Sequence, residues 1–281
     1  MNNTMRSARL RKISKEIYAN HPHWHAWTVG ALGLFVIVLL ITNLVRGNLR
    51  TTTNQQTDFE LFLAGNLSGL KPINYDKIDQ SEIDAYVTVI NQLTGVNVID
   101  MLDGNKLNHT WGVMGLEQHL PRYPGDRLKP WEPFASSGIT SRVGAFGYFA
   151  DSKVDLTQEK LIQEKYYIAV QTLYLPDWNQ RWTELKPWYN KRKMLVVNPS
   201  NGRSVVAVIG DAGPAEWTGK HFGGSPEVIY ALGYKKEPRE AIVLFIDEDK
   251  NNPVPLGPVY FSPKFPTPVI SLPVKDDVLV E

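Results

Sequence analysis

Cysteine is absent from the 281 residues of this sequence. Without a thiol, the chain cannot build a disulfide framework, a thiolate metal site, a cysteine nucleophile or a thioester-linked lipid anchor. Net charge is also small: Asp, Glu, Lys and Arg make up 21% of the residues, as in an ordinary globular protein, and the formal net charge is +1. No strong overall field attracts nucleic acid, so we expect no nucleic-acid partner. A mean hydropathy of −0.25 excludes a membrane protein of many helices.

One long apolar run stands out against this background. Residues 27–45 (WTVGALGLFVIVLLITNLV) carry no charged side chain, and about 20 apolar residues suffice to cross a bilayer as a helix. Trp24 and Trp27 lie at its start, where indoles favour the headgroup layer. The run predicts a single membrane helix over residues 26–46. The alternative is a buried helix of a globular domain, but such a helix is seldom apolar on all faces.

The charges before this run predict its orientation. Five basic residues precede it, against the single acid Glu16: Arg6, Arg9, Arg11, Lys12 and Lys15. The positive-inside rule makes residues 1–25 a cytoplasmic tail and places the C-terminal part outside the cell membrane. A cleaved signal peptide is the alternative. It would have a shorter leader and a shorter apolar core, and no Ala-x-Ala pattern follows the run, so we expect a retained single-pass anchor.

The rest of the chain divides by composition. We expect four segments: a stalk (47–74), an adaptor of helix and loops packed on a barrel (75–140), the barrel itself (141–250) and a Pro-rich extended tail (251–281). Thr, Asn, Gln and Gly predict weak local structure in the stalk. Apolar residues at helical spacing predict a helix over 79–93, with Ser81 as its cap and Gly95 as its stop. Residues 102–140 are predicted to be loops.

Short runs rich in β-branched and aromatic residues predict the strands of the barrel. They are VGAFGYF (143–149), YYIAVQTLYL (166–175), KMLVVN (193–198), SVVAVIG (204–210) and AIVLFID (241–247). A short helix is predicted over 226–232, because Ser225 is a good cap, Pro226 suits a first turn and Gly233 can close it. Short strands with one small helix indicate a mainly β protein.

An acidic residue lies in a sharp turn at the end of one predicted strand. Gly210, Gly213 and Pro214 bracket Asp211, so the backbone would hold the carboxylate in place, as a catalytic acid or base requires. The alternative is structural, since a carboxylate in such a loop often only accepts nearby backbone N–H groups.

This region resembles the double-psi β-barrel of the rare lipoprotein A family and, more distantly, that of the expansins. The matching residues are, in order, Asn198, Asn201 to Val205, Asp211, Gly213, Pro214, Gly219 with Lys220, Ser225, and Leu232 with Gly233. With VGAFGYF taken as the opening strand, the resemblance covers residues 142–248. It implies a six-stranded double-psi β-barrel with a short helix.

The resemblance also implies a function. The family recognises cell-wall glycan (peptidoglycan), and some members cleave it as lytic transglycosylases. In that reaction one carboxylic acid protonates the glycosidic oxygen and the sugar's own hydroxyl closes on the anomeric carbon, so Asp211 would be the acid/base. No metal and no cofactor is implied.

The sequence departs from the family at two places. Active relatives pair the Asp with a His, and here that position holds Gln171 or, by a gapless count, Leu185. Glu184 and His221 are the candidate replacements. The second Asp of the family is missing, since Gly223 and Gly224 stand there.

Aromatic residues near the predicted site suggest sugar binding, because flat rings stack on sugar faces. The predicted substrate-binding set is Trp217, Trp182, Trp188, Tyr189, Gln171 and Lys220. The alternative is that the rings pack the insertion at 176–192 onto the barrel. His109, Glu117 and His119 lack the spacing of a zinc helix, so no metal site is predicted there.

These observations predict a membrane-anchored envelope protein that binds or remodels cell-wall glycan. The alternative from another class is a non-catalytic scaffold, whose barrel binds an envelope protein or is covered by residues 102–140.

Overall fold

The computed structural model describes residues 55–249 and 251–260. The chain divides into two compact units, residues 1–55 and 56–281, and the described residues belong almost wholly to the second. Between residues 55 and 260, as far as they are described, no helix is long and apolar enough to cross a membrane. The predicted tail and membrane helix, and residues 261–281, lie outside the described residues.

Helices and short strands alternate along the described chain. The helices are α1 (residues 55–68), α2 (Gln80–Thr94), α3 (Gln158–Lys165), α4 (Trp178–Tyr189) and α5 (Pro226–Ala231). The strands are β1 (Val98–Ile99), β2 (Met101–Leu102), β3 (Asn105–Lys106), β4 (Trp111–Leu116), β5 (Tyr167–Val170), β6 (Lys193–Val197), β7 (Ser204–Ala212), β8 (Phe222–Gly224), β9 (Glu240–Ile246) and β10 (Gly257–Pro258).

Six of these strands close into a barrel. Around the ring the order is β4, β8, β5, β7, β6, β9 and back to β4. The pairs β4–β8 and β5–β7 are parallel, and the other four pairs are antiparallel. A closed ring leaves no open edge among these strands. The prediction of a mainly β protein with a six-stranded barrel is therefore confirmed, and the topology is compatible with a double-psi barrel.

Alternation along the strands separates the interior of the barrel from its outer surface. On β7, Val205, Ala207 and Ile209 belong to the interior cluster, whereas Val206 packs in a second cluster outside. This is the period of two expected when a sheet is covered on both faces.

One outer face of the barrel is covered by α1 and α2. Leu63 and Leu67 of α1 are fully buried in the same cluster as Tyr86 of α2 and Leu244 of β9. Their spacing of four residues puts them on one side of the helix. The predicted stalk is therefore wrong for residues 55–68, which form a helix of the folded unit. Helix α2 is confirmed, with Gly95 in the left-handed conformation, but its N-cap is Asp79 and not Ser81.

The turn between β6 and β7 shows why Asn198, Asn201 and Gly202 are needed in the sequence motif. The side-chain amides of Asn198 and Asn201 both donate to the carbonyl oxygen of Leu232, at 2.9 and 3.0 Å, and so satisfy the end of α5. Gly202 has a φ of 74°, and a Cβ there would lie 2.6 Å from the carbonyl carbon of Glu60 in α1. Only glycine fits this contact with α1.

The first barrel strand is not where the sequence placed it. Residues 143–149 are turn and loop, and β4 is the opening strand, inside the segment predicted to be loops. The barrel therefore begins at residue 111 and not at 141. The strands predicted at 193–198, 204–210 and 241–247 are confirmed, as is α5 with its Ser225 cap. The strand predicted over 166–175 is shorter, because a 3-10 turn follows at Thr172–Tyr174.

Candidate functional site

A row of small residues crosses four strands and ends at Asp211. Gly115 of β4 lies opposite Gly223 of β8, Gly223 lies opposite Ala169 of β5, and Ala169 lies opposite Asp211 of β7. We call these four positions the cross-strand row. A Cβ on the neighbouring Gly224 would meet Met114 in the interior, so Gly223 and the rest of the row face outward. The row is a strip on the outer face of the barrel, and its three small residues are buried beneath neighbouring side chains.

A β-bulge places Asp211 on this strip. The register of β5 and β7 shifts between Ile168, which lies opposite Ile209, and Ala169, which lies opposite Asp211. In a regular ladder, Gly210 would pair with Ala169 and simple alternation would turn Asp211 towards the interior; the bulge leaves Gly210 unpaired and turns Asp211 outward. Bulges commonly re-aim a side chain in this way beside functional sites.

The backbone holds one oxygen of Asp211 and leaves the other available. Oδ1 accepts the N–H groups of Ala145 at 2.6 Å and Ala212 at 2.8 Å. Within the described residues, Oδ2 accepts no hydrogen bond and is not enclosed. The predicted structural role is therefore present, and it leaves a partly exposed carboxylate in a fixed position.

A second acid, Glu117, lies over the row. It follows β4, and its backbone N–H donates to the carbonyl of Gly224 at 2.9 Å. A Cβ on Gly223 would lie 2.6 Å from Cγ of Glu117 and would collide with its Oε1. In the described part of the chain, no hydrogen bond or ion pair holds this half-buried carboxyl. Burial, with a smaller effect from the charge of Asp211, raises the pKa of Glu117.

Two further side chains border the row. Lys220 extends along Gly115, where a Cβ would lie 2.8 Å from its Cδ, and its charge opposes the rise in the pKa of Glu117. The hydroxyl of Tyr167 donates to the carbonyl oxygen of Gln118, which fixes the turn that carries Glu117. The row is thus bordered by two carboxyl groups and one ammonium group, above residues with no side chain larger than a methyl group.

Gln171, which the resemblance aligns with a His of the rare lipoprotein A family, makes its hydrogen bonds elsewhere. Its buried amide nitrogen donates to the carbonyl oxygens of Pro214 at 3.0 Å and Lys220 at 3.1 Å. It therefore ties down the 213–220 loop that carries Trp217, which is 87% exposed. In this arrangement Gln171 is a positioning residue and does not present its amide to a substrate.

Gln171→Leu should loosen this loop without unfolding the barrel. The substitution leaves two carbonyl groups without their donor and should lower the free energy of unfolding by about 1–3 kcal/mol. We expect faster proteolytic cleavage within residues 213–220 than in the wild-type chain, measured by limited proteolysis with mass spectrometry. Unchanged cleavage at this loop would contradict the assigned role of Gln171.

His221, predicted as a partner of Asp211, belongs to a different cluster. Its Nε2 lies 3.4 Å from Oδ1 of Asp76, and Nε2 of His109 lies 3.0 Å from the same oxygen. These three ligand atoms lie within 4.8 Å of one another, as a metal site would require. However, Nδ1 of His221 accepts the N–H of Val113 at 3.0 Å, so Nε2 carries the proton and cannot ligate a metal in this ring orientation. The cluster is therefore better described as two imidazoles that share the carboxylate of Asp76 than as a metal site.

Helix α4 carries the remaining predicted residues away from the row. Glu184 is exposed and paired with Arg181 at 2.8 Å, which lowers the pKa of Glu184; no contact between it and Asp211 occurs within the described residues. Tyr189 is buried and donates to the carbonyl of Lys106 at 2.6 Å. Trp188 donates to Asp103 and packs against Tyr189. Trp188 and Tyr189 therefore pack helix α4 onto the rest of the fold, as the alternative to sugar binding proposed, whereas Trp182 is 53% exposed.

Sequence reasoning missed Glu117 as a partner of Asp211. The available signal was the missing second acid at Gly223 and Gly224, which indicated that space was left for another side chain. No protein-family model and no curated protein matches the sequence, so the site has to be interpreted from its own geometry.

Proposed function

We propose that the barrel is a double-psi β-barrel that binds cell-wall glycan with the side chains that border the cross-strand row. The observation that carries the proposal is the group of partly exposed side chains over the row, Glu117, Asp211 and Lys220, with the exposed Trp217 on a loop tied down beside it. Carboxylates and ammonium groups hydrogen-bond sugar hydroxyls, and an indole offers a flat face for stacking.

The place of action follows from the predicted anchor. A helix over 26–46 with a basic tail before it would hold the barrel on the outer side of the cell membrane. The protein would then reach only the wall material next to the bilayer. This favours a role in binding, assembly or local remodelling of the wall over degradation of the wall by a freely diffusing enzyme.

A scaffold that binds a protein partner is the second candidate. It is favoured by the hydrogen bond from Ala145 to Asp211, because the chain's own 143–147 segment then occupies one end of the row. Lytic transglycosylation with Asp211 as the sole acid has less support, since Gln171, Glu184 and His221 are each engaged with other groups.

Trp217→Ala should weaken binding of the full-length chain to purified peptidoglycan sacculi about tenfold, which corresponds to about 1.4 kcal/mol. Trp131→Ala is the matched control, because Trp131 is 80% exposed on another loop, and it should leave binding unchanged. Co-sedimentation with sacculi measures both. If the wild-type chain does not sediment with sacculi, glycan binding is wrong and the scaffold remains.

A further inference from the structure

We propose that Glu117 and Asp211 form an acid–base pair that hydrolyses a glycosidic bond of the glycan bound on the cross-strand row. The inference rests on the proposed glycan binding and assigns a reaction to the same site. It differs from lytic transglycosylation because two carboxyl groups and a water molecule take part, and the product has a reducing end.

The side chain of Glu117 lies over a glycine. Its carboxyl fills the space that a side chain at 223 would need. Glycine at 223 is therefore a condition for seating Glu117. A carboxyl group that is half-buried and has no hydrogen-bond partner in the described residues is unusual for a structural residue.

The row places the two carboxyl groups on one outer face of the barrel. Gly223, beneath Glu117, and Asp211 are two strand positions apart, or about 10 Å between their Cα atoms. Ala169, the residue of the row between them, carries only a methyl group and is buried, so a sugar would lie above the row, against the two acidic side chains. Glycosidases that use a water for direct displacement separate their carboxyl groups widely enough for that water.

The surroundings of the two carboxyl groups indicate which one is the general acid and which one is the general base. Burial raises the pKa of Glu117, so this group retains a proton to higher pH and suits a general acid. Asp211 receives two backbone N–H groups on Oδ1 and keeps Oδ2 open, which suits a base that must hold a water in a fixed position.

The step balances with water as the co-reactant. Glu117 gives its proton to the glycosidic oxygen while the bond between that oxygen and the anomeric carbon breaks. The oxygen of a water bonds to the anomeric carbon and its proton passes to Asp211. The products are two shorter glycan chains, one with a new reducing end, and solvent returns the proton from Asp211 to Glu117.

The test uses the full-length chain on purified sacculi, with reducing ends and anhydro ends quantified separately. Glu117→Gln and Asp211→Asn should each lower the release of reducing ends about 100-fold or more, a far larger loss than in sacculus binding, to which Trp217 and Lys220 also contribute. Glu184→Gln is the control, since Glu184 is an exposed carboxylate in a surface ion pair, and it should release reducing ends at the wild-type rate. The wild-type rate should fall as the pH rises through the pKa of Glu117.

Gly223→Ala tests the seating of Glu117 without removing a carboxyl group. A Cβ at this position collides with Cγ, Cδ and Oε1 of Glu117, so the whole Glu117 side chain should turn away and cleavage should be lost; urea unfolding of the variant measures the accompanying cost in stability. Gly65→Ala is its control, because a Cβ there meets nothing within 4 Å.

The outcomes separate this inference from the proposed function. Binding without any reducing-end release by the wild-type chain overturns the acid–base pair and leaves glycan binding standing. Release of anhydro ends alone also overturns it, in favour of a single acid. No binding and no release overturns both proposals.

Discussion

Leu63→Ala should lower the free energy of unfolding by about 2–5 kcal/mol, the usual cost of removing a buried leucine side chain. Leu63 is 0% exposed and lies in the cluster that α1 and α2 form with the outer face of the barrel. The loss should appear as a lower midpoint in urea unfolding of the full-length chain, followed by tryptophan fluorescence. Trp111 of β4 is buried in the same cluster and is one of the reporting indoles.

The matched control lies two residues away on the same helix. Leu61 is 61% exposed, so Leu61→Ala should change the free energy of unfolding by less than about 0.5 kcal/mol. If the two variants unfold at the same urea concentration, α1 is not packed on the barrel. Residues 55–68 would then be the loosely structured stalk that their composition suggested.

Helix α1 was not predicted because its apolar pattern is short and the residues around that pattern are polar. Phe59, Leu63 and Leu67 recur at intervals of four, but a composition of Thr, Gln and Asn outweighed them. Burial of this stripe depends on the barrel face that receives it, and Val206 and Leu244 of that face come from distant parts of the chain. Local propensity cannot report such a contact.

Strand β4 was missed for a related reason. Its sequence, Trp-Gly-Val-Met-Gly-Leu, has two glycines where a strand normally has β-branched residues. Both glycines are needed by the fold, since a Cβ on Gly112 would lie 2.7 Å from Cβ of His221 and one on Gly115 would meet Lys220. The buried strands β6, β7 and β9 were found because their apolar runs are long and free of glycine up to Gly210.

Of the two acidic residues at the candidate site, only Asp211 was predicted from the sequence. Asp211 was found because glycines and a proline mark its turn, and the turn geometry is local. Glu117 was not found as its partner, since only pairing between β4 and β8 brings it over Gly223. Local sequence patterns could not place Glu117 near Asp211, because the two residues belong to segments almost 100 positions apart.

Lys191→Met should raise the free energy of unfolding at pH 7 by about 1–3 kcal/mol. The ammonium nitrogen is enclosed and has no hydrogen-bond acceptor among the described residues, and it lies 3.5 Å from the centre of the Phe149 ring. Burial lowers the pKa of Lys191 to about 8 from its ordinary value of 10.5, and each pKa unit corresponds to about 1.4 kcal/mol. Methionine keeps the length of the side chain and removes the buried charge.

The stability gained by Lys191→Met should decrease with rising pH. Between pH 8 and 10.5 the unfolded chain keeps the Lys191 proton while the folded chain releases it, so folding stability of the wild type rises with pH in that window. The advantage of Lys191→Met should therefore shrink as the pH rises from 8 and disappear near 10.5. Urea unfolding of both chains at pH 7, 9 and 10.5 measures this difference.

Lys193→Met provides the contrast, two residues further along the chain. The ammonium group of Lys193 lies 2.6 Å from Glu248 and donates to the carbonyl of Val254, so its removal should destabilise the fold or leave it unchanged. A gain in stability for both variants would show a general benefit of apolar substitution in β6 and the turn before it. A gain for Lys191→Met alone would show that the fold carries an unfavourable buried cation in the electrostatic field of Asp211. A group retained at such a cost is expected beside a functional carboxylate, where activity and stability compete.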